Sequence, residues 1–447
     1  MFRKLLSLVI AVLMTFSLAS SEAWALAQRP PKETVQTIEE PKIMYRTLLD
    51  YYELALKRSE TVAISKEAIE ETEAEFLKAA GEFIGDADYK ITSFRQDPLS
   101  TAEGGGGTGI SSNFFKTHRR ERKWVFTQPL FQGFKSFAAI AAAGGLRKQR
   151  KEEEIRAEQL LFTDVALAFY NVLRQKRDLE IVEGIIKSYQ ERIEELTERE
   201  KIGRSRESEL AKAISQMKSI ESELAKVRGL FAIAQHVLGF LTGIEIKPEE
   251  LKDTDLPDER ILELLDYVQA SENRSDVNAA KQAVKIARQG ILSAQSELWP
   301  ELALDSNVYN QRDGSQFNVD WDVLFTLNFP LGKGGTTLGN LKQAVSVWKQ
   351  AKQTYSLTQR QALLDIQESY ENWIASSHQT KALEEAREAS QNSFDLQKAE
   401  YDNNLVSNLD VLDALNELYD TSRKANDVHY QMKENYWKLK VSIGEVP

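Results

Sequence analysis

Cysteine is absent from the 447 residues, which excludes disulfides, thiolate metal sites and a lipid-modified N-terminal cysteine. Histidine is nearly absent. His118, His236, His378 and His429 stand far apart, none has metalloprotease spacing, and no Gly-x-Ser-x-Gly elbow occurs. No catalytic residue, metal site or cofactor is therefore expected. Long apolar runs are missing as well: beyond the N-terminus no stretch approaches the ~20 residues of a spanning helix, so membrane anchoring has to come from the fold itself. An excess of positive charge is also lacking, with 57 Lys and Arg against 68 Asp and Glu and a net charge of -11, which argues against a nucleic-acid partner.

What is present starts with an export signal at residues 1–27. Arg3 and Lys4 precede an apolar run from Leu5 to Ala19, and Ala25-Leu26-Ala27 offers a small-residue cleavage site. An exported chain without a spanning helix is either soluble or a barrel, because only helices and closed barrels satisfy their backbone groups in lipid.

Residues 317–329 favour the barrel. Phe317, Val319, Trp321, Val323, Phe325, Leu327 and Phe329 alternate with Asn318, Asp320, Asp322, Leu324, Thr326 and Asn328, so a strand over 316–329 has one apolar face and one mostly polar face. Its partner is expected over 301–310, the two joined through Gln311-Arg312-Asp313-Gly314-Ser315. A second pair is expected over 82–94, with Phe83, Ala87, Tyr89 and Ile91 on one parity, and over 122–131, where Trp124 and Phe126 share a face. Between these two lie Asp97-Pro98 and the run Gly104-Gly105-Gly106-Gly107, a flexible loop by composition. It is not a phosphate-binding loop, since no Gly-Lys-Ser/Thr follows. The basic run His118, Arg119, Arg120, Arg122 and Lys123 reads as a solvated cluster, with contact to anionic headgroups at the barrel rim as the alternative.

Helices make up the rest. Helical spacing covers 43–80. No proline interrupts 134–202, where Leu179, Val182, Ile186, Tyr189, Ile193 and Leu196 recur at alternating steps of three and four, a coiled-coil seam. Gly144-Gly145 marks an expected early bend. After a break at Gly203, a second seam uses Leu210, Ala213, Met217, Ile220, Leu224, Val227 and Phe231, so two long helices form a hairpin. A Pro-containing acidic linker at 244–260 leads to a repetition: helix over 261–298, the strand pair, a long helix to Tyr401, a break at Asp402-Asn403-Asn404, and a last helix from Ser407. Gln128-Pro129-Leu130 aligns with Phe329-Pro330-Leu331, Gly203 with Asn404, and Leu241-Thr242-Gly243 with Ser442-Ile443-Gly444, all at one offset. Two helix-strand-strand-helix repeats, 28–243 and 261–447, are expected, with hairpin tips near 203 and 404.

Four spanning strands cannot close a barrel, so several chains have to contribute. Two chains would give about eight strands and a filled interior, three about twelve with room for a channel.

This doubled pattern resembles the TolC-like outer-membrane efflux family. The resemblance rests on the strand ends Gln128-Pro129-Leu130-Phe131 and Phe329-Pro330-Leu331, the stretch around Tyr170, and Asp410-Val411-Leu412-Asp413-Ala414. It implies a homotrimer: a mainly α chain whose four strands join a trimeric twelve-stranded β-barrel in the outer membrane, continuous with a long α-helical coiled-coil periplasmic tunnel. It also implies a passive export duct in a tripartite efflux or type I secretion system, docked on a periplasmic adaptor protein and an inner-membrane transporter. Asp410 and Asp413 would form the pore constriction, raising one another's pKa and holding cations. Tyr401 and Glu209 would meet across neighbouring helices as gate contacts. Gly203, Arg204, Ser205, Asn404, Leu405 and Ser407 would form the adaptor-docking tips. The sequence departs from the family in lacking a proline before the first strand and in placing Asn404 where the second tip usually carries glycine. The competing reading is an exported soluble coiled-coil adaptor or structural protein, which has no use for a lipid-facing strand.

Overall fold

The computed structural model describes residues 47–95, 118–254, 256, 263–313 and 317–446. The expected signal at 1–27 and the Gly-rich loop lie outside them. Helix α1 (Leu48–Arg58) and helix α2 (Glu60–Ile84) divide the single helical stretch expected from the spacing. Ser59 causes the division, since it leaves helical geometry and its side chain accepts the Val62 N–H, capping α2. Helix α2 then continues through Phe83, a position expected in a strand. Gly85, at φ 91°, ends it, and an added Cβ there would stand 2.3 Å from the Thr127 carbonyl oxygen. Glycine performs the turn at which the family often carries a proline.

Strands β1 (Asp86–Arg95), β2 (His118–Gln132), β3 (Glu301–Arg312) and β4 (Trp321–Asn328) make one antiparallel sheet in chain order. Among the described residues β1 pairs only with β2 and β4 only with β3. Two corrections concern bounds. The strand expected over 316–329 is shorter, with Phe317 and Asn318 in a turn. On β3 the register skips Asn310, a bulge that lets β3 follow β2 beyond the end of β4. At its other end β4 stops before Pro330, which has no N–H to give a ladder. The second correction is that β2 extends in both directions, and it tolerates Pro129 because the register against β3 shifts between Pro129 and Phe131.

The sheet has two chemically distinct faces. On one face Tyr89, Trp124, Val308 and Trp321 occupy a single rung, with Phe126, Leu302, Leu304, Val323, Phe325 and Leu327 on the same side. All four β4 residues of this face are exposed in the single chain. On the other face Thr127 donates to Asp305, and Asn307 and Tyr309 donate to Asp322 at 2.7 and 2.8 Å. Ion pairs Lys123–Glu121 (2.9 Å) and Arg312–Asp322 (3.7 Å) lie there too. An apolar band bounded by an aromatic row, backed by a polar interior, is the pattern of an outer-membrane barrel wall.

Helix α3 (Lys135–Lys201), helix α4 (Glu207–Thr242), helix α5 (Leu264–Ala270), helix α6 (Ser275–Ser296), helix α7 (Thr336–Asp402) and helix α8 (Asn408–Ser442) complete the fold. Helices α3 and α7 have 67 residues each, about 100 Å of helix. Helix α3 runs uninterrupted through Gly144-Gly145, and a Cβ on Gly145 would lie 2.9 Å from Ile286 of α6. That glycine serves close helix packing. Both expected seams are present: Val182, Tyr189, Leu196, Ala213 and Val227 are fully buried, with Leu179, Ile193, Leu210, Met217 and Leu224 packed against them. A second core joins α1, α3, α4 and α8 around Phe162, Phe169 and Tyr170, whose hydroxyl accepts from Trp437 at 2.9 Å.

One sequence expectation fails in this region. Helix α4 does contain an 18-residue window long and apolar enough to cross a membrane. It pairs with α3 through Ala213, Ile220 and Val227, while Ile233, Val237 and Phe240 stay exposed. Burial of one side against α3 together with exposed apolar residues on the other gives a helix this composition in a bundle as well as in lipid.

Candidate constriction and helix tips

The two tips are built alike. Helix α3 ends at Gly203 (φ 69°), with Arg204 N–H donating to the Arg199 carbonyl at 2.8 Å. Helix α7 ends at Asn404 (φ 60°), with Leu405 N–H donating to the Glu400 carbonyl at 2.9 Å. Each is a left-handed residue followed by a six-to-one closing bond, the chemistry that ends helices. Asparagine accepts this conformation better than most side chains, so Asn404 performs the glycine's role. Arg204 and Leu405 project as exposed residues at these tips, Leu405 at 74%. Ser205 donates to Glu209 at 3.1 Å.

Ser407 opens α8 with a reciprocal cap. Its N–H and Oγ both donate to Asp410 Oδ2, at 2.8 and 2.6 Å, and Asp410 N–H donates back to Ser407 Oγ. These Ser407 bonds hold the Asp410 carboxyl below its ordinary range. Within one chain the sign is thus opposite to the mutual elevation expected for a crowded ring. Asp413 stands one turn on, 3.7 Å from Lys212 of α4. Both aspartates are exposed, on the opposite side of α8 from buried Val411, Leu412, Ala414 and Leu415. Glu417 and Asp420 continue that exposed side, extending the acidic stripe to about 15 Å. Their spacing of three, four and three was visible in the sequence.

Tyr401 and Glu209 are not hydrogen-bonded to each other in the chain. Tyr401 is buried, and two guanidinium groups stack on its ring, Arg192 at 3.7 Å and Arg199 at 4.3 Å from the centroid. Arg192 Nε donates to Asn408 at 2.7 Å and Nη1 to Glu195 at 2.7 Å, and Arg199 reaches Asp402 at 3.2 Å and Glu195 at 2.8 Å. Sequence reasoning missed this clamp. Its signal was two arginines seven apart on one helix face, flanking a glutamate. Beside it, Ser188, Glu191, Arg192, Glu195, Phe394 and Lys398 help line a cavity of about 130 Å³.

The clamp makes a discriminating prediction. Tyr401→Phe keeps both stacks, worth about 0.5–2 kcal/mol each, and leaves tip closure unchanged. Tyr401→Ala removes them and raises hydrogen exchange at residues 400–410 and single-channel conductance together. Equal gains from both variants would instead assign the closure to the hydroxyl.

The chain matches the family model described as outer membrane efflux protein over residues 120–244 and 267–445. It is 25% identical over 331 residues to the outer membrane protein TolC of Vibrio cholerae, covering 71% of this chain and 75% of that protein. It is 22% identical over 378 residues to the cation efflux system protein CusC of Escherichia coli K12, covering 80% of each. Among solved structures it superposes on the outer membrane protein VceC of Vibrio cholerae with a TM-score of 0.76 at 19% identity, covering 89% of this chain and 96% of that one.

Proposed function

This chain belongs to the outer membrane efflux protein family and is an outer-membrane channel subunit, and from that premise we propose how its parts assemble and act. Three copies pool their four-stranded sheets into one twelve-stranded barrel. The helices of both repeats, 28–243 and 261–447 with the linker 244–260 between them, form the periplasmic tunnel after the signal at 1–27 is removed. The tips around Gly203, Arg204, Ser205, Asn404, Leu405 and Ser407 receive a periplasmic adaptor, which couples the duct to an inner-membrane transporter that supplies the energy. Asp410 and Asp413 form the constriction, and Tyr401 and Glu209 contribute to the gate.

One observation carries this reading: the sheet has an apolar face, a hydrogen-bonded polar face and two edges that find no partner among the described residues. Lipid does not tolerate unpaired edges, so β1 of one copy has to meet β4 of the next. Exposed Ile233, Val237 and Phe240 on α4, and Val347, Leu357 and Leu364 on α7, give the helices apolar surface for the same neighbours.

Fractionation with light scattering in mild detergent tests it. The expected result is a trimer recovered from the outer membrane that forms channels in planar bilayers. A monomer, or native protein in the soluble periplasmic pool, overturns it.

A further inference from the structure

The basic run at the start of β2 is divided by the strand. Arg119, Glu121 and Lys123 turn to the polar face, where Arg119 stacks over Phe94 at 5.6 Å and Lys123 pairs with Glu121. His118, Arg120 and Arg122 turn to the other face with Trp124. The burial pattern records the same alternation, with residues 120, 122 and 124 exposed and 119, 121 and 123 half-buried. Arg95 joins the outward group, since it pairs with His118 and shares the parity of Tyr89 and Ile91.

Height is fixed by register. Arg122 lies two residues beyond the rung Tyr89–Trp124–Val308–Trp321 and Arg120 four, about 7 and 13 Å along the strand. Aromatic rows mark the boundary between hydrocarbon and headgroups. Arg122 and Arg120 therefore stand at headgroup level, and Arg95, opposite His118, stands two residues farther out. All four long helices that adjoin the sheet enter or leave it at its other end, at Asp86, Gln132, Glu301 and Asn328, so the arginine end is the outer-leaflet end.

Among the described residues Arg95, Arg120 and Arg122 have no carboxylate partner. Asp313, the nearest acid by register, spends Oδ2 on the Arg120 backbone N–H at 2.9 Å. The outward residues of β4 are Trp321, Val323, Phe325 and Leu327, none of them an acid.

We infer that Arg95, Arg120 and Arg122 form a phosphate-binding rim for the phosphorylated glycolipid of the outer leaflet, with acyl chains lying on Trp124, Phe126 and Val323 below. This rests on the barrel assembly proposed above. Arginine matches a phosphate bidentately, and each basic side chain at an anionic surface contributes about fivefold in affinity.

The experiment is native mass spectrometry of the full-length protein in nonionic detergent, titrated with diphosphoryl lipid A. R95Q/R120Q/R122Q loses affinity by about a hundredfold, whereas R119Q/K123Q, on the polar face, binds like wild type. Wild-type protein also prefers diphosphoryl lipid A to its dephosphorylated form, a comparison that stands even if the triple variant does not assemble. Equal affinity for the two lipids, undiminished binding by the triple variant, or competition by inorganic phosphate at lipid concentrations each overturns the inference. A trimeric, conducting protein with no phosphate preference removes the rim and leaves the channel standing. A monomer removes both.

Discussion

Asp410→Asn combined with Asp413→Asn raises single-channel conductance for small anions and weakens block by multivalent cations on the order of tenfold, the change in affinity that loss of a few close charges produces. The substitutions remove charge, while the amide introduced at position 410 retains an acceptor oxygen for Ser407, so the α8 cap survives. The alanine pair is the harsher test, because it also removes the carboxylate half of the Ser407–Asp410 capping box at the start of α8. Asp413 is partly offset by Lys212 at 3.7 Å, which makes Lys212→Gln a third variant, expected to strengthen block. The pH dependence follows from the direction of the Asp410 shift. A carboxyl held below its ordinary range by Ser407 keeps its charge as pH falls past about 3.9 and loses it only on titration through the lower value. Block by a multivalent cation in planar bilayers therefore persists through mild acid. Currents and block unchanged in the double Asp→Asn variant would remove the constriction from these two residues.

Arg274→Met has the largest expected effect on stability. Arg274 is 2% exposed and ties three elements together. It donates to both oxygens of Asp276 at 3.0 and 2.7 Å, to Asp365 of α7 at 3.1 Å, and to the carbonyls of Ala362 and Ser442 at 3.3 Å each. Removing one partner of a buried pair costs about 3–5 kcal/mol, since the other charge is left without compensation. The loss is expected as a lower melting temperature in detergent, with faster hydrogen exchange around residues 275, 362 and 442. R274M/D276L recovers part of it, because an apolar pair of similar volume removes the orphaned charge. Burial alone would raise the Asp276 carboxyl, but the hydrogen bonds and charge of Arg274, with Arg156 and the Val277 N–H, hold it below its ordinary range. A depressed acid stabilises above its unfolded value of about 3.9 and ceases to do so as pH falls through its folded value. Wild type therefore loses this contribution only in strong acid. In Arg274→Met the main opposing cation is gone, and the variant becomes less unstable relative to wild type as pH falls and Asp276 takes up its proton.

The contrast between these two sites marks what a linear reading reaches. Asp410 and Asp413 lie three residues apart, and helical period alone places them on one side. Arg274 contacts Asp365 and Ser442, which are 91 and 168 positions away in the chain, and no local pattern announces such a contact. The clamp behaves likewise: Tyr401 reads as a seam or gate residue until the fold brings Arg192 and Arg199 of α3 onto its ring. Strand bounds slipped for a related reason. The alternation at 317–329 is real, yet a strand extends only as far as its neighbour offers a ladder, and a bulge at Asn310 and the missing N–H of Pro330 set that limit.

By itself the order of residues determined the periods. Steps of three and four gave two hairpins, steps of two gave four amphipathic strands, and the shared offset gave the repeat, because helix and strand geometry are local properties of the backbone. Only the tertiary structure decided which strand edges remain open, which arginines face outward at the rim, and which charges are bound inside. Those depend on register and on neighbours distant in sequence, whose placement is set by packing many side chains at once.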